Sequence, residues 1–193
     1  MRNGLGRLGC TIAACMLLGA GMAVASFDDL KPADPQPAAG TLQPGLAVNY
    51  LEVKVRHIDE VEEAGDGKPG PPLPQLDYQS GAGTVLTSDN ADMVGARIRG
   101  FINFDQPGRW LMATQSNDGV RVRIDGKIVI NDPDVHSDQF SMNAELNIAA
   151  AGWYKLEVTY FERRSTSTLQ LYWQRPGGTD FEIVPAAAYG YAP

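Results

Sequence analysis

The sequence predicts an all-β domain, either a sandwich or a barrel, on three observations. Apolar and polar residues alternate with a period of two, as where Val120, Val122 and Ile124 share one side of a segment and arginines the other. That alternation is typical of a strand with one buried and one solvated face. The 21 glycines and 13 prolines suit a fold with many turns. No segment of the sequence has sustained helical periodicity.

Eight segments have the alternation expected of strands. They lie at 46–55, 96–104, 109–115, 119–125, 127–131, 140–148, 152–161 and 168–174. Asp125-Gly126 separates two of them and is typical of a two-residue hairpin turn, because both central positions of that turn favour positive φ. The stretch 59–92 is polar and rich in glycine and proline. We expect it to be a long insertion loop, either functional or loosely ordered.

Length and charge limit the function classes. A chain of 193 residues fits one domain with a targeting segment. Asp and Glu number 23 against 16 Lys and Arg, a formal charge of -7. We expect no nucleic-acid partner, because attraction to phosphates requires a basic face. The 44% hydrophobic and 20% charged residues indicate a globular domain rather than a disordered chain.

Residues 1–25 have the pattern of a secretory signal peptide. Arg2 and Arg7 form a basic start, 10–24 are apolar or small, and Ala23-Val24-Ala25 fits a cleavage site. The apolar run is shorter than the about 20 residues that a membrane span needs. We therefore expect export, to the periplasm or the medium, and no membrane span. The rival interpretation is lipidation at Cys15, although the residues after it stay mostly apolar.

For the rest of the chain, the sequence predicts a proline-rich leader or linker at 26–45, one domain at 46–185 and a tail at 186–193. Both cysteines, Cys10 and Cys15, lie in the signal segment. The exported chain would therefore contain no thiol. That excludes disulfides, thiolate metal sites and a cysteine nucleophile.

The stretch 96–173 contains an ordered set of glycine, aromatic and acidic motifs. They are Arg99-Gly100-Phe101, Gly108-Arg109-Trp110, Ser116-Asn117-Asp118-Gly119-Val120-Arg121, Ile124-Asp125-Gly126-Lys127, His136, Gly152-Trp153-Tyr154, Val158-Thr159-Tyr160-Phe161-Glu162 and Leu171-Tyr172-Trp173. In this order and spacing they resemble the protective-antigen domain family, named for the anthrax toxin subunit. The resemblance covers roughly 46–185. It implies an antiparallel, jelly-roll-like β-sandwich that usually serves as a carbohydrate-recognition module.

The resemblance also implies where a ligand would bind. Fungal adhesins of this family hold calcium with two consecutive aspartates joined by a cis peptide, plus an oxygen ligand from a second loop. The matching dipeptide here is Asn117-Asp118, and Glu162 would be the second-loop ligand. Asparagine keeps an oxygen donor but removes a negative charge, so calcium affinity should be weaker. The implied glycan site adds Gly119, Arg163 and, as an aromatic at its edge, Phe161.

These residues also have purely structural explanations. Asn117-Asp118-Gly119 is a typical turn sequence, Arg163-Arg164 can be solvated charges, and the three tryptophans fit a core. The acidic loop 131–134 could hold calcium but lacks EF-hand spacing. The segment 65–70 fits G-x-G-x-x-G, yet Pro71-Pro72 follows it where a phosphate-binding helix would have to continue.

Catalytic motifs are missing from the sequence. It contains no G-x-S-x-G and no H-E-x-x-H, and His136-Ser137-Asp138 are chain neighbours rather than residues that converge from different elements. We therefore predict an exported glycan-binding module without catalytic activity, with calcium as its candidate cofactor. The alternative is a structural or assembly module that docks another envelope or surface protein.

Overall fold

A computed structural model describes residues 24–193, so the expected signal peptide 1–25 lies outside the described residues except for its last two. Nearly all regular structure in the described range is β. In chain order the elements are β1 (Ala25–Phe27), β2 (Gln43–Pro44), β3 (Ala47–Glu52), α1 (Ile58–Glu63), β4 (Lys68–Pro69), β5 (Asp77–Gln79), β6 (Val94–Phe104), β7 (Gly108–Asn117), β8 (Val120–Ile124), β9 (Lys127–Asp132), β10 (Gln139–Phe140), β11 (Ala144–Ile148), β12 (Gly152–Glu162), β13 (Thr168–Gln174), β14 (Glu182–Ile183), a 3-10 turn (Ala186–Ala188) and β15 (Tyr189–Tyr191). No helix in this range is long and apolar enough to cross a membrane.

Seven strands form a front sheet. Their order is β1-β11-β7-β13-β14, with β10 also paired with β7 and β5 with β13. Every pair except β1–β11 is antiparallel. The expected strand 140–148 is divided into β10 and β11. The break follows from Ser141, whose N–H donates to the Thr114 carbonyl (2.8 Å) and whose Oγ accepts from the Thr114 N–H (3.0 Å).

Eight strands form a back sheet. Their order is β2-β15-β6-β12-β8-β9, and β3 pairs with β6 and carries β4. All of these pairs are antiparallel. The two sheets enclose one large hydrophobic core. The all-β antiparallel sandwich expected from the sequence is therefore confirmed.

Aromatic side chains fill the centre of the core. The Phe104 ring lies 5.1 Å from Trp110 and 5.3 Å from Tyr154, and Trp110 lies 4.8 Å from Trp173, measured between ring centroids. All four side chains are buried. Edge-to-face and tilted contacts of this kind add to the free energy gained by removing the rings from water. Trp110 and Trp173 are therefore core residues.

Helix α1 covers part of the outer face of the back sheet. Its Ile58 and Val61 pack with Leu51, Val55 and Phe161 in a second, smaller apolar cluster. The sequence has no extended helical pattern because α1 is only six residues long. It is stabilised by tertiary packing rather than by its own length.

Ion pairs fix α1 to the sheet. Arg121 is only 7% exposed, and its Nη1 donates to Asp59 (2.8 Å) and Glu62 (2.7 Å). Arg123 also donates to Glu62, and that hydrogen bond is the main reason why the Glu62 pKa falls to about 2. The alternation in sequence placed both arginines on the outer face. The alternation did not predict that α1 would cover this face and bury Arg121.

Segments expected at the periphery pack on the sandwich. Residues 26–45 were expected to be a leader, but Leu30 is 3% exposed and β1 and β2 each join a sheet. The expected tail 186–193 contains β15, which pairs with β6. Both segments therefore extend edges of the sheets. The prolines in the sequence made these short strands hard to predict.

The stretch 59–92, expected to be an insertion loop, contains regular structure and core residues. It includes most of α1 and the short strands β4 and β5. Leu73, Leu76 and Val85 from this stretch are buried in the main core. Isolated apolar residues among prolines and glycines therefore anchor the connection to the sandwich at several points.

Replacing Glu62 should remove a pH-dependent part of the stability. The folded pKa lies below the ordinary value of 4.5, so the stabilisation is present above pH 4.5 and is lost as the pH falls toward 2. We expect Glu62→Gln to lower the free energy of unfolding at pH 7 by about 1–3 kcal/mol. Urea unfolding at several pH values measures both effects. Glu63→Gln, at an exposed position of the same helix, is the matched control. An equal loss in both variants would contradict the role of the Arg121–Glu62–Arg123 network.

Candidate functional site

Four connections between the two sheets lie together at one end of the sandwich. They are 80–93 (β5 to β6), 118–119 (β7 to β8), 133–138 (β9 to β10) and 163–167 (β12 to β13). The strand register brings them together: Thr168 pairs with both Asn117 and Gln79, and Val120 pairs with both Tyr160 and Asp132. We call this the loop end. Every residue that the sequence singled out as a ligand contact lies in one of these connections or, as with Asn117, Phe161 and Glu162, at the end of an adjoining strand.

Asp118 is the buried centre of the loop end, with 4% of its surface exposed. Its Oδ1 accepts the His136 N–H (3.0 Å) and its Oδ2 accepts the Arg163 N–H (2.8 Å). Its own N–H donates to the Phe161 carbonyl (3.2 Å). Burial raises the pKa of Asp118, and the two main-chain hydrogen bonds offset part of that increase. One carboxylate thus joins three of the four connections or the strand ends that flank them.

Asn117 precedes Asp118 through a cis peptide bond, as the family resemblance implied. Its Nδ2 donates to Thr166 Oγ1 (2.9 Å), and its carbonyl accepts from the Tyr160 hydroxyl. No hydrogen bond in residues 24–193 engages its Oδ1. The side-chain oxygen of Asn117 is therefore available as an acceptor or a cation ligand.

Gly119 is required by close packing. A Cβ at this position would lie 2.5 Å from Phe161 Cε1 and 2.8 Å from the Pro133 carbonyl oxygen. The Phe161 N–H also donates to the Gly119 carbonyl (3.0 Å). Gly119 therefore allows Phe161 and Pro133 to pack closely against the connection between β7 and β8. Its role is to shape the site, not to contact a ligand.

Phe161 does not lie at the edge of an open site. Its side chain is 0% exposed and packs with Ile58 and Val61 of α1. The expectation of a sugar-stacking aromatic at this position was wrong. Helix α1 covers the outer face of β12 at this point. Phe161 therefore lies between the helix and the sheet and supports the loop end by packing.

Glu162 is also fully buried, at 0% exposure. Neither of its carboxylate oxygens has a hydrogen-bond partner within the described part of the chain. Burial, with the nearby charges of Asp92 and Asp118, raises its pKa to about 7. The Met93 N–H offsets part of the rise without reaching hydrogen-bond geometry. An unpartnered buried carboxylate beside other acids is a group that a bound cation would satisfy.

The arginines of the loop end differ in exposure. Arg163 is half-buried, its N–H is used by Asp118, and its buried Nε has no partner among residues 24–193. Arg164, Ser165 and Thr166 are exposed. The Ser165 N–H donates to Asp92 Oδ1 (2.9 Å), which ties 163–167 to 80–93. The exposed part of the loop end thus offers one cation and several hydroxyl groups.

Asp132 and Asp134, the acids of the alternative calcium loop, do not converge. Asp132 lies 3.3 Å from His136 Nε2 and accepts from Gln139, while Asp134 is exposed. The glycine-rich segment 65–70 lines a cleft of about 590 Å³ with Tyr50 and Asn90. That cleft contains none of Asn117, Asp118 or Glu162. Neither feature is part of the loop end's buried centre.

The loop end has oxygen donors of the kind that calcium binds, but its acidic side chains alone do not make a complete site. Within residues 24–193, no three or more His, Cys, Asp or Glu side chains form a group that could hold a metal ion. Asp118 and Glu162 supply carboxylates, and Asn117 supplies an amide oxygen. Calcium takes six to eight oxygen ligands, so main-chain carbonyls or water would complete its coordination.

Several partners of the site were not predicted from sequence. The main chain of His136 and the Thr166 hydroxyl contact Asp118 and Asn117, and the Asp92 carboxylate accepts from Ser165 beside the predicted site. They lie 18 to 73 residues away from their partners along the chain. No local pattern indicates such contacts, which depend on the sheet crossings.

The fold and the loop end define a β-sandwich whose polar connections gather at one end. Residues 75–187, more than half of the chain, match the PA14 domain, and the chain belongs to this family. The family expected from the motifs is therefore confirmed. No curated protein matches the chain in sequence.

Solved structures with the same fold include domains of an antifreeze protein and of adhesins. The PA14 domain of the antifreeze protein MpAFP is 15% identical, with a TM-score of 0.66, over 86% of this chain and 96% of that one. The PA14 sugar-binding domain of an RTX adhesin is 15% identical, with a TM-score of 0.61, over 77% of this chain and 98% of that one. The A domain of epithelial adhesin 9 from Candida glabrata, in complex with Galb1-4GlcNAc, is 8% identical, with a TM-score of 0.58, over 87% and 95%. At these identities the likeness shows a shared fold.

Gly119→Ala should destabilise the protein, because the new methyl group meets Phe161 and Pro133 within 3 Å. We expect a loss of about 1–3 kcal/mol in the free energy of unfolding, measured by urea denaturation. Gly65→Ala is the control, since a Cβ there has no neighbour within 4 Å and its φ is not positive. Equal stability of the two variants would contradict the packing described for Gly119.

Proposed function

We propose that this protein is an exported, non-catalytic module that binds glycans at the loop end with the help of calcium. The observation that carries the proposal is the buried Asn117-Asp118 pair, on which connections from both sheets converge. The unpartnered carboxylate of Glu162 behind it supports a cation in the same place. Arg163 completes the site through its main-chain contact with Asp118.

Asn117, Asp118 and Glu162 would hold calcium through their side-chain oxygens. The chemistry that calcium supplies when bound is coordination of neighbouring hydroxyl groups on a sugar ring. The main-chain bonds from His136 and Arg163 keep the Asp118 carboxylate in one orientation. The exposed hydroxyls of Ser165 and Thr166 and the charge of Arg164 would contact the outer part of the glycan.

Glycan-binding relatives support the ligand class. The RTX adhesin domain is described as sugar-binding, and the Candida glabrata adhesin was solved with a galactose-containing disaccharide. Both share this chain's fold over most of their length. An acidic, oxygen-rich loop end is compatible with a neutral sugar and calcium, and it disfavours polyanionic ligands.

His136, the histidine of the loop end, is held among its neighbours. His136 Nδ1 is 2.8 Å from the Ser137 carbonyl, and its Nε2 is 3.3 Å from Asp132. Both nitrogens therefore face neighbours in their own loop or the adjoining strand. Nε2 is buried, although it makes no hydrogen bond to a described residue, so His136 is poorly placed to act as a base on a bound glycan; this supports a binding role.

A glycan array, run in calcium and again in chelator, tests the proposal. We expect binding in calcium that falls about tenfold or more in chelator and in Asp118→Asn, because the variant loses a ligand charge. Asp134→Asn, an exposed acid of a neighbouring connection, should bind like the wild type.

Melting temperatures distinguish lost binding from lost folding. Calcium should raise the melting temperature of the wild type, but not that of Asp118→Asn, and raise that of Glu162→Gln less. Binding that is as strong in chelator, or in the Asp118→Asn variant, as in the wild type with calcium would remove calcium from the proposal. Silence across all glycans in calcium would contradict the glycan function and favour the docking of another protein.

A further inference from the structure

One row of side chains crosses the outer face of the front sheet beside the loop end. Strand register aligns Phe140 of β10 with Gln115 of β7, Gln115 with Gln170 of β13, and Gln170 with Asp77 of β5. Directly paired residues on antiparallel strands point to the same face. Three interstrand spacings make the row about 14 Å long.

The row begins with an exposed aromatic pair. The Phe140 side chain is 60% exposed, and its ring lies 5.5 Å from that of Tyr172, tilted by 58°. Tyr172 lies two residues after Gln170 on β13 and is half-buried. Exposure of a large aromatic side chain on a folded sheet leaves apolar area in water that a ligand could cover.

Hydrogen bonds hold the polar part of the row in place. The Tyr172 hydroxyl donates to Gln170 Oε1 (3.0 Å), and Gln170 Nε2 donates to Asp77 Oδ1 (2.6 Å). The Gln115 amide makes no hydrogen bond to any described residue. Asp77 is exposed and keeps a second carboxylate oxygen. The row thus presents the free Gln115 amide near the aromatic pair and a carboxylate oxygen of Asp77 at its other end. Gln170, only 9% exposed, lies between them and holds Tyr172 and Asp77 in place.

We propose that this row is a second glycan subsite, independent of calcium, that takes the continuing chain of a neutral oligosaccharide. Aromatic rings cover the C–H faces of sugars, while amides and a carboxylate bond to their hydroxyls. The row contains one acid and no lysine or arginine, which disfavours an anionic ligand.

The subsite is continuous with the loop end. Gln115 lies two residues before Asn117 on β7, and Gln170 two residues after Thr168 on β13. Two residues along a strand span about 7 Å. A glycan bound at Asn117 could therefore continue across Gln115 and Gln170 toward the aromatic pair. The inference shares the glycan ligand with the proposed function but does not depend on calcium.

Binding measured in chelator tests the subsite separately. The protein is expressed from residues 1–193. It is titrated with neutral hexasaccharides (cello-, chito-, xylo-, manno- and β-1,3-gluco-) and with the corresponding monosaccharides. We expect at least one hexasaccharide to bind in chelator and its monosaccharide to bind much more weakly. Phe140→Ala and Gln115→Ala should each weaken that binding, the first by about tenfold, because stacking area is lost. Both side chains lie on the outer surface, so folding should be retained.

Met142→Ala is the matched control, since Met142 is 61% exposed but lies outside the row. Three results would overturn the subsite: no hexasaccharide binding in chelator, binding unchanged by Phe140→Ala and Gln115→Ala, or an equal loss in Met142→Ala. Calcium-dependent binding that Asp118→Asn abolishes and Phe140→Ala leaves intact would retain the proposed function and reject the subsite. Chelator-resistant binding that Phe140→Ala abolishes and Asp118→Asn retains, with no further gain in calcium, would retain the subsite and reject the calcium-dependent site.

Discussion

The hydrogen bonds that the buried Asp118 carboxylate accepts hold the loop end together. They come from the main chain of His136 and of Arg163, which belong to two different connections between the sheets. A charged acceptor away from water makes such bonds stronger than neutral ones. Both connections are therefore fixed by one residue of a third. The exposed residues that follow Arg163, including Ser165 and Thr166, start from a backbone position that Asp118 sets.

The same arrangement concentrates negative charge where the chain offers little to neutralise it. Burial raises the pKa values of Asp118 and Glu162, and only the Met93 N–H lowers that of Glu162. Elsewhere the protein partners its buried charges, as with Arg121 and Glu62 under α1. The contrast is informative because a buried carboxylate without a partner costs free energy in the folded state. The loop end carries this cost although the packing around Gly119 and Phe161 is close, which is typical of a binding site rather than of a structural turn.

The sequence predicts the longer strands, the hairpin at Asp125-Gly126 and the Asn117-Asp118 pair, because period-two alternation and turn chemistry are local signals. It does not predict that Phe161 is buried, since one face of β12 is covered by α1 from about 100 residues earlier. The burial of the leucines of 59–92 in the core was not predicted for a related reason. A single apolar residue such as Leu73 among prolines has no period, and only the closed sandwich shows that it fills the core. Long-range packing decides these positions, and one sequence contains no record of it.

Identities of 8 to 15% with other PA14 structures mean that the shared fold supplies a platform and that the exposed side chains must define the ligand. In this chain polar side chains on the outer face of the front sheet follow one path, from Asn117 through Gln115 and Gln170 to Tyr172, with Gln115 and Tyr172 half-buried and the other two largely buried. All of them lie on β7 or β13, neighbouring strands whose inner faces bear Trp110 and Trp173. Because the tightly packed aromatic core prevents these strands from shifting, the spacing along the path is fixed before any ligand arrives. A rigid path of this kind favours an extended glycan over a single sugar, since the ordering free energy is already met by folding.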